Sequence, residues 1–336
     1  MTKPRKQQVS LDDTPFYHCV SRCTRQAFLC GFDHFSNRSY EHRRQQIQDD
    51  MLRLASVFSI EIAAFCVMSN HLHLVLHVCR DECLADEPES IVRRAHQLIA
   101  GNEITHKFLN KEPIEPWERD QLDLFVDTWR KRLYNISWFM KFLNEGIARR
   151  ANKEDNCTGH FWEARFKSQA LLDEQAVLSA MAYVDLNPIR AAMATTPEQS
   201  DLTSIQRRIA FWKDKANGNQ ESDSDKDIQP ESLMPFAGNP RQPMPSGLAF
   251  SLVDYLQLVE WTGRAIRNDK QGAIPLSKPP IIQRLGISPK HWLELCTNFE
   301  GRFKGLVGSI QSISSISGNF GLKRRPNFTN SNLLFN

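Results

Sequence analysis

The chain lacks several features that would assign it to a common class. No stretch of its 336 residues approaches the roughly 18 consecutive apolar residues of a membrane span. The segment Met1–Ser10 is basic and polar and has no apolar signal-peptide core, so we expect a cytoplasmic protein. No GxxxxGKS or GxxxxGKT phosphate loop is present, which disfavours a nucleotide-hydrolysing domain such as a helicase. A formal net charge of only +3 neither requires nor excludes a nucleic-acid partner.

Cysteine is present in eight copies, but the copies are scattered along the chain. With no export signal, reduced thiols are the expected state. Two C-x3-C pairs, Cys19/Cys23 and Cys79/Cys83, leave open a four-cysteine zinc site, although structural zinc sites usually form compact knuckles.

The most informative feature that is present is the pair His71 and His73. The apolar run around them predicts a strand, and alternation places both imidazoles on one face and Leu72, Leu74 and Leu76 on the other. Two imidazoles at this spacing can hold one divalent metal ion. The alternative is a half-buried strand that carries histidines without a metal, since His-x-His is a short motif.

The order of the elements predicts an α+β fold. The apolar patterns predict a strand at 14–22, a helix at 36–57, strands at 59–68 and 71–78, a helix at 122–150, a strand at 166–172 and a helix from 174 toward 187. This is the ferredoxin-like βαββαβ order, an antiparallel sheet with helices on one face and an added C-terminal helix.

Composition divides the chain into four parts. We expect one domain over 1–213, with an insertion at about 80–120. Residues 214–247 are acidic and proline-rich, which predicts a disordered linker. Periodicity returns over 248–307 and predicts a small helical module, and the serine- and asparagine-rich stretch 308–336 predicts a flexible tail.

Tyr183 is a second candidate for chemistry. It lies four residues before Asn187, so one helical turn would place the two on the same face, although Pro188 disfavours helical geometry at Asn187. An amide oxygen there suits a third ligand for Mg²⁺ or Mn²⁺. The alternative for Tyr183 is a tyrosine packed on the sheet with its hydroxyl at the rim.

Four segments, taken in order, resemble one family. They are Tyr17–Arg22, Met68–His73, Gly159–Ser168 and Tyr183–Ala191. Together they are similar to the HUH single-tyrosine transposases, and most of all to the branch of REP-associated tyrosine transposases. The resemblance covers about residues 10 to 200. The residues Cys23–Arg25 depart from the family, whose members commonly have glycine and asparagine there.

The resemblance implies a transposase acting in DNA recombination. It implies metal-dependent cleavage and strand transfer of single-stranded or hairpin DNA through a 5′-phosphotyrosine intermediate. Tyr183 would be the nucleophile and His71, His73 and Asn187 the ligands of Mg²⁺ or Mn²⁺. A homodimer is left open. One alternative is a domesticated, non-catalytic protein that recognises repetitive hairpins, and another is a replication initiator or relaxase of the same superfamily.

The charge distribution favours a DNA partner more than the net charge does. Residues 130–167 carry nine Lys and Arg and four Asp and Glu, a local net charge of +5. Phosphate contacts would supply affinity, and aromatic rings could stack on unpaired bases. The alternative is a solvated helix face with tryptophans in the core. The expected DNA contacts are Arg22, Trp162, Arg165, Lys167 and Arg190, which lie in the segments that resemble the family, and Arg25, which lies in the loop that departs from it.

Overall fold

The fold is taken from a computed structural model of the chain. It describes residues 4, 7–24, 28–33, 37–217, 230, 232–238, 247–266, 279–316, 320 and 326–335. Arg25 and most of the predicted linker lie outside these ranges.

A five-stranded sheet forms the centre of the α+β fold, in the order β4-β5-β1-β6-β7. Its strands are β1 (Phe16–Arg22), β4 (Ile60–Val67), β5 (His71–Val78), β6 (Lys167–Leu171) and β7 (Leu306–Val307). A separate short ribbon pairs β2 (Phe32–Asp33) with β3 (Arg38–Ser39). The sheet is mixed, and not antiparallel throughout as expected, because β7 from the C-terminal region adds to β6 in parallel.

Both faces of the sheet are covered by helices, which corrects the expectation of helices on one face. Leu72, Leu74 and Leu76 are buried in one core with α1 (Glu41–Val57) and α6 (Ile136–Glu154). The opposite face contributes Val75 to a second core that includes α7 (Glu174–Asp185). The histidine face of β5 is therefore covered by another layer of the structure.

The region between β5 and β6 is helical. It contains α2 (Arg80–Ala85), α3 (Pro88–His96), α4 (Glu103–Leu109) and α5 (Pro116–Leu133), followed by α6. The prediction of a single helix over 122–150 was wrong, because the helix is interrupted between Leu133, where α5 ends, and Ile136, where α6 begins. Asn135 explains the break: its side-chain oxygen accepts a hydrogen bond from Ser137 N at 2.8 Å and caps the new helix.

Helix α7 begins where the sequence predicts. Asp173 Oδ1 accepts a hydrogen bond from Ala176 N at 2.9 Å, which satisfies one of the free amides of the first turn. The helix ends at Asp185, and a short helix, α8 (Asn187–Arg190), starts at the next turn. Pro188 lies in the first turn of α8, where its missing N–H has no cost.

The C-terminal half packs on α7. It forms a 3-10 turn at Pro197–Gln199, then α9 (Ser204–Asn217), α10 (Leu252–Ile266), α11 (Pro280–Leu285), α12 (Pro289–Arg302), α13 (Ile310–Ser315) and α14 (Phe328–Leu334). Helices α10 and α12 share the second core with α7, and α13 and α14 lie in the predicted tail. The domain boundaries themselves stay predictions. None of the helices in the described ranges has the length and apolar character needed to cross a bilayer.

Candidate metal and nucleophile site

The two histidines of the motif lie at the start of β5. Their ring centroids are 4.7 Å apart. His71 is half-buried at the rim, and Asn70 Oδ1 lies 2.6 Å from its Nδ1. Burial, reinforced by the positive charges of Arg22 and Arg190, lowers the pKa of His71 to about 4. His73 is fully buried, and the loss of hydration holds its pKa well below the usual range. Both rings are therefore neutral at pH 7, the form that binds metals.

Tyr183, on α7, lies next to His73. Its ring centroid is 5.8 Å from that of His73 and 5.6 Å from that of Phe299 on α12. The side chain is buried, and burial raises the pKa of its phenol. The guanidinium of Arg190 sits over the ring, 3.8 Å from the centroid, and acts in the opposite direction by stabilising the phenolate.

Asn187, four residues after Tyr183, is the first residue of α8. It is buried, and its Nδ2 finds no hydrogen-bond partner among the described residues. The Nε2 of His73 is likewise buried without a partner in the described part of the chain. Unpaired buried polar atoms are costly in a folded protein. The Nε2 of His73 could bind a metal ion, whereas the amide nitrogen of Asn187 is a donor and would need an acceptor. Imidazole nitrogens with an amide oxygen form a donor set that fits Mn²⁺ or Mg²⁺.

Three residues at this site were not identified from the sequence. His18 of β1 places its Nε2 3.0 Å from His73 Nδ1, and Gln169 Oε1 lies 2.7 Å from His18 Nδ1. Glu300 of α12 places Oε1 3.3 Å from His73 Nδ1. His18 lies on the same face of the sheet as His73 because of the register of β1 against β5, which strand alternation alone does not predict. No local signal indicates Glu300.

A buried polar cluster fixes the end of α7. Tyr255 of α10 donates a hydrogen bond to Asp185 Oδ2 at 2.6 Å, and Ile205 N donates to Oδ1 at 3.0 Å. Ser204 also donates to Oδ1. Burial raises the pKa of Asp185 to about 6 despite these donors. The helix that carries Tyr183 is thus held at its last residue by α9 and α10.

The predicted DNA contacts have different surroundings. Arg22, Arg165 and Lys167 are exposed, and Arg22 is paired with His71 in the sheet register, at the edge of the site. Trp162 is half-buried and donates through Nε1 to Asn144 O at 2.8 Å, so much of its surface serves packing.

Arg190 is not free to face solvent. It stacks on Tyr183 and donates to Thr297 O at 2.8 Å. Arg25 lies outside the described residues.

A second cluster lies at the other end of β5. Glu61 Oε2 is 2.8 Å from His77 Nδ1, and Cys79 Sγ is 3.5 Å from the same nitrogen. His77 is therefore held by a carboxylate, as a structural histidine would be. The eight cysteines, all within the described ranges, form no disulfide bonds, and the clusters of candidate metal ligands in those ranges do not bring the two C-x3-C pairs together. The hypothesis that these four cysteines bind one zinc ion is therefore wrong.

Comparison with known proteins gives one distant likeness. No protein-family model matches the chain, and no curated protein matches it. One solved structure, described as a REP-associated tyrosine transposase bound to a REP hairpin, is similar over 62% of this chain and 86% of that chain. The identity is 10% and the TM-score 0.37, so the two chains are far apart in structure as well as in sequence.

Proposed function

We propose that this protein is a transposase-like enzyme that cleaves and rejoins single-stranded or hairpin DNA, with Tyr183 as the nucleophile and a divalent metal ion as cofactor. One observation carries the proposal. Tyr183 of α7 lies beside His73 of β5, with 5.8 Å between their ring centroids, although the two residues are far apart in sequence. The resemblance of the sequence motifs to HUH transposases pairs these same residues.

His71, His73 and Asn187 would hold Mg²⁺ or Mn²⁺. When bound, the ion would polarise the scissile phosphate and offset its charge. Arg22 stands exposed beside His71 and would contact a phosphate entering from that edge.

Tyr183 would attack phosphorus through its phenol oxygen. A P–O bond to the new tyrosyl ester forms as the P–O3′ bond breaks. The phenol gives up its proton to water, and the departing 3′ oxygen takes one up. One ester replaces another, so the bond energy is kept for rejoining the strand. Arg190 favours the phenolate by lying over the ring, against the opposing effect of burial.

The test is formation of a covalent protein–DNA adduct. Labelled hairpin DNA from the flanks of the gene is incubated with the protein in Mn²⁺, in Mg²⁺ and in chelator, and adduct is followed on denaturing gels. We expect adduct only with metal, and none from Tyr183→Phe, which keeps the ring and loses the nucleophile. Tyr134→Phe, at a half-buried tyrosine after α5, is the matched control and should form adduct.

Two outcomes would count against the proposal. Adduct from Tyr183→Phe would assign the nucleophile elsewhere. A hairpin that is bound but never cut, in either metal, would favour the alternative of a domesticated DNA-binding protein.

A further inference from the structure

A chain of hydrogen bonds runs from the C-terminal region into the histidine pair. Gln169 Nε2 donates to the main-chain oxygen of Phe303 at 2.7 Å. Gln169 Oε1 contacts His18 Nδ1 at 2.7 Å, and His18 Nε2 contacts His73 Nδ1 at 3.0 Å. The chain ends at His73 Nε2, which is buried and has no partner among the described residues.

The direction of this chain follows from its first member. A main-chain carbonyl can only accept, so the amide nitrogen of Gln169 must face Phe303 and its oxygen must face His18. That oxygen also only accepts, so His18 carries its proton on Nδ1. His18 is fully buried, which favours the neutral ring, and its Nε2 is then an acceptor. His73 must therefore donate from Nδ1, which leaves Nε2 unprotonated.

Glu300 gives a second, independent reason for the same assignment. Its Oε1 lies 3.3 Å from His73 Nδ1. A lone pair on Nδ1 would face this carboxylate and be repelled, whereas an N–H there is attracted to it. The lone pair of His18 and the carboxylate of Glu300 both favour a proton on His73 Nδ1.

We propose that His18 and Gln169 are positioning residues that fix His73 in the tautomer with a bare Nε2, ready to bind the metal ion. This inference rests on the proposed function, in which His73 is a ligand. It also gives the C-terminal region a role. The carbonyl oxygen of Phe303 sets the direction of the hydrogen bonds, and the carboxylate of Glu300 favours the same proton position on His73. Ligand histidines commonly have their second nitrogen held in this way by an outer group.

The wild-type protein tests the tautomer without any substitution. In protein labelled with ¹⁵N-histidine and free of metal, long-range ¹H–¹⁵N spectra distinguish a bare ring nitrogen from a protonated one, with the His73 signals assigned by their loss in His73→Gln. We expect Nδ1 of His73 to be protonated and Nε2 to be bare. A proton on Nε2 would overturn the inference.

Gln169→Glu tests whether the hydrogen bonds from Phe303 through Gln169 and His18 fix the tautomer of His73. A carboxylate cannot donate to Phe303 O, and it favours a second proton on His18, which would then donate from Nε2 and reverse the His73 tautomer. We expect Mn²⁺ affinity, measured by calorimetry, to fall by about 10–100-fold, as is usual for loss of an outer partner. Gln97→Glu, the same charge change at an exposed site, is the matched control and should bind as wild type.

The outcomes separate the two proposals. If wild-type protein binds no Mn²⁺, the proposed metal site fails. If wild type binds Mn²⁺ and Gln169→Glu binds it equally well with an unchanged His73 tautomer, the metal site stands and the positioning role of Gln169 and His18 is wrong.

Discussion

Tyr255→Phe removes one hydroxyl from the cluster that holds the end of α7. Tyr255 is fully buried, and its hydroxyl donates to Asp185 Oδ2 at 2.6 Å. The other two donors, Ser204 and Ile205, both bind Oδ1, so the described residues would leave Oδ2 without a partner. A buried acceptor left unsatisfied costs about 1–3 kcal/mol, and we expect a loss of unfolding free energy in that range.

The loss should depend on pH. Burial raises the pKa of Asp185 to about 6 in the folded protein, above the roughly 3.9 of an unfolded aspartate. A carboxyl group with a raised folded pKa binds more protons when folded, so its contribution to stability falls as pH rises through that window. Removing the Tyr255 donor raises the folded pKa further. The variant should therefore lose more stability than wild type between pH 6 and pH 8.

Urea denaturation followed by tryptophan fluorescence, at pH 5 and pH 8, measures this difference. We expect Tyr255→Phe to be destabilised by about 1 kcal/mol at pH 5, where Asp185 is mostly protonated, and by about 2–3 kcal/mol at pH 8. Tyr134→Phe is the control, with little change at either pH. A difference between Tyr255→Phe and wild type that is the same at both pH values would refute the role assigned to Asp185.

Three further predictions follow from other contacts. Asp173 caps α7 through Oδ1 and accepts from Ser309 N at 2.7 Å through Oδ2, so Asp173→Ala should lower the unfolding free energy by about 1–3 kcal/mol in urea; no loss would contradict both roles. Cys157 is the exposed thiol among eight, so one equivalent of a thiol reagent should react quickly with the native protein, and peptide mapping should find it there; fast reaction elsewhere would contradict the burial pattern. Arg190→Gln removes the charge over Tyr183 and should raise the pKa of its phenol, seen as a shift of ultraviolet titration to higher pH; an unchanged titration would argue against the stacking.

Local patterns predicted the elements that build the site. Alternation around His71 and His73 predicted β5 and its two faces, and Asp173 predicted the start of α7. These features depend on residues close in sequence, where strand period and capping act. Asn135 is a polar residue inside the segment predicted as one helix over 122–150, and its capping role explains why the structure has two helices there.

Long-range contacts account for what the sequence pattern missed. Glu300 and Phe303 lie at the site because α12 packs on α7. No pattern in the neighbouring sequence predicts this contact. The parallel addition of β7 to β6 depends on two residues only, too few for a pattern. The role of His18 depends on the register between β1 and β5, which alternation alone does not set.

The identity of the nucleophile is the central claim, and peptide mapping of the adduct tests it most directly. The protein is incubated with hairpin DNA and Mn²⁺, the adduct is digested with nuclease and trypsin, and the peptides are read by mass spectrometry. Trypsin releases Ser168–Arg190, a peptide in which Tyr183 is the single tyrosine. We predict that the residual nucleotide is attached at Tyr183. Attachment to any other residue would contradict the account.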